Sequence, residues 1–202
     1  ESIDELRSTS VEKILDFQTS QYLSANKTFD FFAPTGGGVG IESDILNTAS
    51  QSPVQFVVGT NKDENKIWAA FDPALADADA AMWNEFCIES FGDNATNARQ
   101  TYEKMRPYES PRDLMSAIST DTGFRQRAIS FAEARVANNQ PTWMYWFTWP
   151  TPFMDGALGC CHALDSPFAF GNINAPGADM LLGQGEDRQP VTDRFTAEIT
   201  QF

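Results

Sequence analysis

Two short apolar stretches, separated by a long helical pattern, stand out along the chain. The first runs from Val54 to Val58 and is rich in β-branched residues, which is typical of a strand buried on both faces of a parallel sheet. The second is PTWMYWFTWP, in which aromatic residues alternate between two bounding prolines, at positions 143, 145, 147 and 149. These two patterns predict two β-strands.

The rest of the chain is dominated by helical patterns. Residues 72–139 are predicted to be mostly helical, starting at an N-cap and first-turn pair, Asp72 and Pro73. Residues 2–24 predict a further helix, in which Thr9 and Glu12 have the spacing of a capping box. Gly36–Gly38 predict a turn, because no Lys-Ser or Lys-Thr pair follows them as a phosphate-binding loop requires.

A helical crossover between two apolar strands favours an α/β fold in which the strands are parallel neighbours. Parallel neighbours end at the same edge of the sheet, where functional groups of open α/β sheets usually lie. Asp63 and Glu64 follow the first strand, and His162 follows the second. We therefore expect Glu64 and His162 to lie within hydrogen-bond reach, although 98 positions separate them.

Composition narrows the possible functions. A net charge of −14 argues against nucleic acid or an anionic membrane surface as a partner, because both need a basic surface. No apolar run reaches the roughly 18 residues of a membrane span. Three cysteines and one histidine supply neither a disulfide framework nor a zinc ligand set, so we expect structural thiols and no metal or cofactor.

Four stretches of the chain form a recognisable set: VVGTNKDE, STDTGF, YWFTWPTP and GALGCCHALDSPFAFGN. In content and in order they resemble the carboxylesterase type B family of α/β-hydrolases. The last is the most specific. Its matching positions are Gly159, His162, Leu164, Pro167, Phe168, Phe170, Gly171 and Asn172. Asp121 and Phe124 match a helix-start motif between the strands, whereas Asn65 and Ser166 depart from the family's pattern.

The resemblance implies that residues 1–202 are the C-terminal segment of one α/β-hydrolase catalytic domain. It implies a carboxylic ester hydrolase with a Ser-His-Glu triad, in which Glu64 is the acid and His162 is the base. The chain has no G-x-S-x-G, so the serine is expected in the N-terminal half of the same enzyme. That half and a small-molecule ester are the implied partners, and the isolated segment is expected to be inactive.

Two other functions remain open from the sequence. A non-catalytic, cholinesterase-like binding or adhesion protein would share the fold and lack a complete triad. A stand-alone binding domain is less consistent with the pattern, because two core strands of a parallel sheet would then expose their pairing edges.

Overall fold

A computed structural model describes residues 2–23, 36–38 and 40–202 of the chain. The chain divides into two compact units, residues 1–48 and 49–202. Within the described residues, no helix is long and apolar enough to cross a membrane.

The first unit contains two short helices where the sequence predicts one. They are α1, Ile3–Ser8, and α2, Val11–Leu23; the last residue of the predicted helix, 24, lies outside the described residues. The predicted capping box at Thr9 does not form, because Thr9 is the extended C-cap of α1 and the Ser10 hydroxyl accepts from Lys13 N instead. The capping box of this unit lies at Ser2 and Glu5.

The glycine-rich stretch forms a turn, as predicted. Gly37 N donates to Ile41 O at 3.0 Å, and Ile41 N donates to Gly38 O at 3.2 Å. The next helix is α3, Ile45–Ser50.

The second unit is built on two parallel strands, β1 (Phe56–Asn61) and β2 (Thr142–Phe147). Both predicted strands and their parallel pairing are confirmed. Gly59 is paired with Tyr145, whose ring lies across the glycine: a Cβ at position 59 would come within 2.1–2.3 Å of ring carbons. Only glycine fits at this position, and the close approach fixes where the tyrosine ring lies.

A helical crossover joins the two strands, as the sequence predicts. It consists of α4 (Lys66–Phe71), α5 (Ala80–Phe91), α6 (Ala95–Met105), α7 (Pro111–Thr120) and α8 (Gln126–Ala137), with short 3-10 turns at Pro73–Leu75 and Gly92–Asn94. The predicted cap at Asp72 is present, since its carboxylate accepts from Ala74 N at 2.9 Å.

The interpretation of Asp121 and Phe124 as a helix start is wrong. Residues Asp121–Arg125 form a π-helical turn that continues α7 into α8 without a break. Such widened turns are rare and frequently lie at functional sites. Arg125 helps to hold this turn, because its guanidinium donates to the carbonyls of Asn61 and Lys62 at the end of β1.

A loop carrying His162 follows β2 and leads into three helices: α9 (Ser166–Ala169), α10 (Ala178–Leu182) and α11 (Arg188–Gln201). The aromatic face predicted for β2 packs on α11. The rings of Tyr145 and Phe147 lie 5.0 and 5.5 Å from that of Phe195. A buried cluster centred on Leu158, Leu164 and Phe168 anchors the histidine loop below this face. The loop therefore rests on a packed core.

The prediction that the first strand is buried on both faces is wrong for its first half. Phe56 is exposed, and Val57 and Val58 are only half-buried, whereas Thr60 and Asn61 are buried. The sheet has two strands within the described residues, so neither strand is flanked by neighbours on both of its edges, and the amino-terminal half of β1 is left partly exposed. Burial is instead concentrated at the carboxyl end of β1, where the candidate residues lie.

Candidate active site

Glu64 lies in a tight turn directly after β1 and is almost fully buried, with 5% of its surface exposed. Its Oε1 accepts a hydrogen bond from Asn61 N at 2.7 Å. The next residue, Asn65, donates its backbone N–H to Thr120 Oγ1 at 3.0 Å, which ties the turn to the end of α7. The carboxylate is thus fixed by the backbone geometry of its own turn, and its second oxygen is left for another partner.

That partner is His162. Its Nδ1 lies 2.7 Å from Glu64 Oε2, so the predicted contact between the two strand ends is present. The imidazole lies against the rings of Trp68 and Phe124, with centroids 5.0 and 5.4 Å away. Its side chain is nonetheless 46% exposed, and the described residues give Nε2 no hydrogen-bond partner. One ring nitrogen is anchored by Glu64, and the other has no hydrogen-bond partner among the described residues.

Asp63, the neighbouring carboxylate, has a different environment. Its Oδ2 accepts from Cys160 N at 3.0 Å, and its own N–H donates to Cys160 O at 2.9 Å. Its Oδ1 lies 3.3 Å from Arg106, which also bonds to Glu109. Burial lowers the pKa of Arg106, but the two carboxylates more than offset this and the pKa is raised overall. Asp63 therefore joins the acid turn to the histidine loop without contacting the imidazole.

Two left-handed residues shape the histidine loop. Gly159 has φ +54°, and a Cβ there would lie 2.6 Å from Asp63 Oδ2, so the close approach of loop and turn requires glycine. Ala163 has φ +62°, directly after His162. A non-glycine residue in this region costs about 1–2 kcal/mol, and such strain is often found at functional sites.

The three cysteines are free and buried, which confirms the interpretation as structural thiols. Burial is the largest cause that raises the pKa of Cys160, to about 12, and it also raises the pKa of Cys161. Cys160 Sγ lies 3.1 Å from Phe147 O. Both thiols therefore stay protonated at neutral pH and pack as part of the buried core.

In the described part of the chain, no group of three or more His, Cys, Asp and Glu side chains is arranged to hold a metal ion.

Sequence reasoning missed several residues that build this site. Trp68 of α4 contacts the imidazole, and no local pattern marks it. Thr120 and Phe124 lie in the STDTGF stretch that resembles the family, but their contacts with the acid turn and the imidazole were not predicted. Asn61 lies in the quoted VVGTNKDE stretch, but the predicted strand ended at Val58, so its place at the end of β1 was not predicted. The departure at Asn65 is structurally mild, because its φ of −80° suits any residue.

Parallel strands joined by a helical crossover, with an acid–histidine pair at their carboxyl ends, define part of an α/β-hydrolase fold. Solved structures agree with this class. A carboxylesterase from Geobacillus stearothermophilus matches with a TM-score of 0.61 at 22% identity, over 75% of this chain and 31% of that one. A PNB esterase matches with a TM-score of 0.63 at 20% identity, over 98% of this chain and 40% of that one.

Sequence comparison is more specific. The model of the carboxylesterase family matches residues 1–202, so the chain belongs to the carboxylesterase family. A phenmedipham hydrolase of Pseudarthrobacter oxydans is 27% identical over 143 residues. That match covers 71% of this chain but only 28% of the hydrolase, so the chain spans under a third of this curated relative.

Proposed function

We propose that this chain contributes the acid and the base of a serine carboxylic ester hydrolase. The observation that carries the proposal is the 2.7 Å contact between Glu64 Oε2 and His162 Nδ1, made by a buried carboxylate and a half-exposed imidazole. This combination suits an acid that orients a histidine and a histidine that meets a substrate. Membership of the carboxylesterase family supports ester hydrolysis as the reaction.

His162 is the proton carrier in this mechanism. Its Nε2 takes the proton of a serine hydroxyl as the serine oxygen attacks the ester carbonyl. The same nitrogen then gives the proton to the departing alcohol, which leaves an acyl-serine. A water molecule attacks the acyl group in the second half of the cycle, activated by Nε2 in the same way, and the carboxylic acid is released.

Glu64 orients and stabilises the imidazole. With Oε1 held by Asn61 N, Oε2 accepts from Nδ1–H and so keeps Nε2 unprotonated and ready to act as a base. When Nε2 takes the proton, the adjacent carboxylate stabilises the imidazolium. The low exposure of Glu64 strengthens this interaction, because little solvent screens it.

The serine and the oxyanion hole are proposed to lie outside these 202 residues, in the N-terminal half of the same enzyme. The sequence contains no G-x-S-x-G, which is the motif that presents the nucleophile in this fold. The exposed apolar residues of β1 and β2 are consistent with a sheet that continues into that half.

The test is hydrolysis of a p-nitrophenyl ester by the full-length protein that contains this chain. His162→Ala should lower kcat by on the order of 10³- to 10⁶-fold, because it removes the proton carrier. Ser166→Ala is a matched control at the start of α9, directly after the histidine loop; its side chain is exposed, so the change should leave kcat within about twofold. Residues 1–202 alone should show no turnover above background.

Turnover that survives His162→Ala would contradict the proposal, and so would robust activity of residues 1–202 alone. A full-length protein without any esterase activity would favour a non-catalytic protein of the same fold.

A further inference from the structure

Asn61 connects the acid turn to the histidine loop. Its side chain, 1% exposed, donates from Nδ2 to Cys161 O at 2.8 Å and to Asp165 Oδ1 at 3.2 Å. Its backbone N–H meanwhile holds Glu64 Oε1 at 2.7 Å. A single residue at the end of β1 therefore bonds to the acid and to the loop on both sides of His162.

The orientation of this amide follows from its neighbours. A carbonyl and a carboxylate only accept hydrogen bonds, so the NH₂ group of Asn61 must face them. Its Oδ1 is left buried and has no partner among the described residues. The Asn61 amide therefore makes two hydrogen bonds to the histidine loop through its NH₂ group, while its oxygen is left without one. A buried amide oxygen without a hydrogen bond is unusual.

Asp165 links the same loop to the second strand. Its Oδ2 accepts from the Tyr145 hydroxyl at 2.7 Å. The tyrosine ring cannot shift toward β1, because it already lies across Gly59, and it also packs edge-on against Phe195, with ring centroids 5.0 Å apart. Burial, followed by the hydrogen bond to Asp165, raises the pKa of Tyr145 well above its usual value, so the hydroxyl remains a donor.

We propose that Asp165 is a positioning residue that holds the histidine loop through Tyr145 on β2 and Asn61 on β1, so that His162 Nδ1 stays on Glu64. Asp165 follows His162 by three residues in the same loop. Its two carboxylate oxygens accept hydrogen bonds from Asn61 at the end of β1 and from Tyr145 on β2. The catalytic consequence rests on the proposed function; the positioning does not.

Tyr145→Phe is the test, because it removes only the hydroxyl and leaves the ring over Gly59. Tyr102→Phe is the matched control: Tyr102 is also partly buried and its hydroxyl donates to an aspartate, Asp121, at 2.7 Å. Asp121 lies in the π-helical turn, but it keeps its 3.2 Å ion pair with Arg125 when the tyrosine hydroxyl is lost, so the turn stays attached to β1. Both variants lose one tyrosine–carboxylate bond of equal length. They differ in whether that bond holds the loop.

Two quantities are measured on the full-length protein: kcat and KM for a p-nitrophenyl ester, and the low-field proton NMR resonance of His162 Nδ1–H, assigned by its loss in His162→Ala. Tyr145→Phe should lower kcat by about tenfold with KM unchanged, since a small misplacement of a catalytic group is costly. It should also broaden or shift the Nδ1–H resonance. Tyr102→Phe should change kcat by less than about twofold and leave the resonance in place.

Equal behaviour of the two variants in both measurements would overturn the proposal. If the full-length protein has no esterase activity but Tyr145→Phe alone perturbs the resonance, the positioning role stands and the proposed function fails. Tyr145→Phe is preferred to Asp165→Ala as the test, because it removes one oxygen atom, whereas Asp165→Ala would remove both bonds of the carboxylate and test folding at the same time.

Discussion

Glu64 and Asp63 are adjacent, buried carboxylates, and the structure predicts opposite consequences for replacing each by its amide. Glu64 contacts the imidazole, whereas Asp63 contacts Arg106 and the backbone of Cys160. The two amide variants are close in size to the parent residues, so packing is retained. The charge and one hydrogen-bond acceptor are the properties that change.

Glu64→Gln should remove activity while leaving stability nearly unchanged. Glu64 accepts from both Asn61 N and His162 Nδ1, and a glutamine oxygen can keep only one of these bonds. If the glutamine oxygen keeps the bond from Asn61 N, the glutamine NH₂ group faces His162 Nδ1 and donates to it. Nδ1 must then be unprotonated, so the imidazole carries its proton on Nε2. In that tautomer Nε2 cannot act as a base. A wrong tautomer of this kind costs about 10⁴-fold in kcat in a serine protease triad, or about 5.4 kcal/mol at 1.36 kcal/mol per tenfold.

Asp63→Asn should lower the stability of the protein and leave most of its activity. The asparagine oxygen can still accept from Cys160 N, so the loop stays attached, but the ion pair with Arg106 is lost. Breaking a buried pair typically costs 3–5 kcal/mol; we expect roughly 2–3 kcal/mol here, because Arg106 keeps its 2.9 Å contact with Glu109. The kcat of the folded variant should fall by less than about tenfold.

The assay is kcat for a p-nitrophenyl ester in the full-length protein, paired with urea unfolding of the same samples. A Glu64→Gln variant that stays active, or an Asp63→Asn variant that loses more activity than Glu64→Gln, would refute the reasoning and assign the acid to the wrong carboxylate.

Three further changes test the local structure. Gly59→Ala should destabilise the protein by about 1–3 kcal/mol in urea unfolding, because the new methyl overlaps the Tyr145 ring; an unchanged midpoint would contradict that packing. Gly159→Ala should lower both stability and kcat, since it combines a positive φ with a contact 2.6 Å from Asp63; wild-type behaviour would count against the loop geometry. Iodoacetamide at pH 8 should leave Cys160 and Cys161 unmodified in the folded protein and label them in urea, because burial and a raised thiol pKa protect them; rapid native labelling would disprove it.

The strands and the meeting of the acid turn with the histidine loop were predictable because each depends on local pattern and chain order, whereas the choice of Glu64 over Asp63 rested on the resemblance to the carboxylesterase family. The run before Gly59 and the aromatic alternation before Pro150 mark strands by themselves. Parallel pairing follows from the crossover between them, and it brings Glu64 and His162 to one edge. No knowledge of side-chain packing was needed for these steps.

The remaining features depend on contacts between distant segments. The π-helical turn at Asp121–Arg125 is held by bonds from Arg125 to carbonyls some 60 positions earlier, so its sequence looks like an ordinary helix start. The hydrogen bond from the Tyr145 hydroxyl to Asp165 could not be predicted either, because it depends on how the histidine loop packs against β2. The exposure of Phe56 was mispredicted because an apolar run shows that a strand is suited to burial. It does not show which neighbouring strands and helices are present to cover it.

The break between α1 and α2 has a local cause that the helical pattern concealed. Thr9 takes an extended conformation, and the Ser10 hydroxyl accepts from Lys13 N in the first turn of α2, so two short helices replace the predicted one. Ser and Thr side chains compete with helical hydrogen bonding in this way, which makes periodicity a weaker guide where they occur together.

Covalent labelling with a fluorophosphonate, followed by peptide mapping, tests the central claim most directly. In the full-length protein the reagent should modify one serine that lies outside these 202 residues, and His162→Ala should slow that labelling by at least about 10³-fold, because His162 activates the nucleophile. Labelling of a serine within residues 1–202, or labelling at an unchanged rate without His162, would contradict the account.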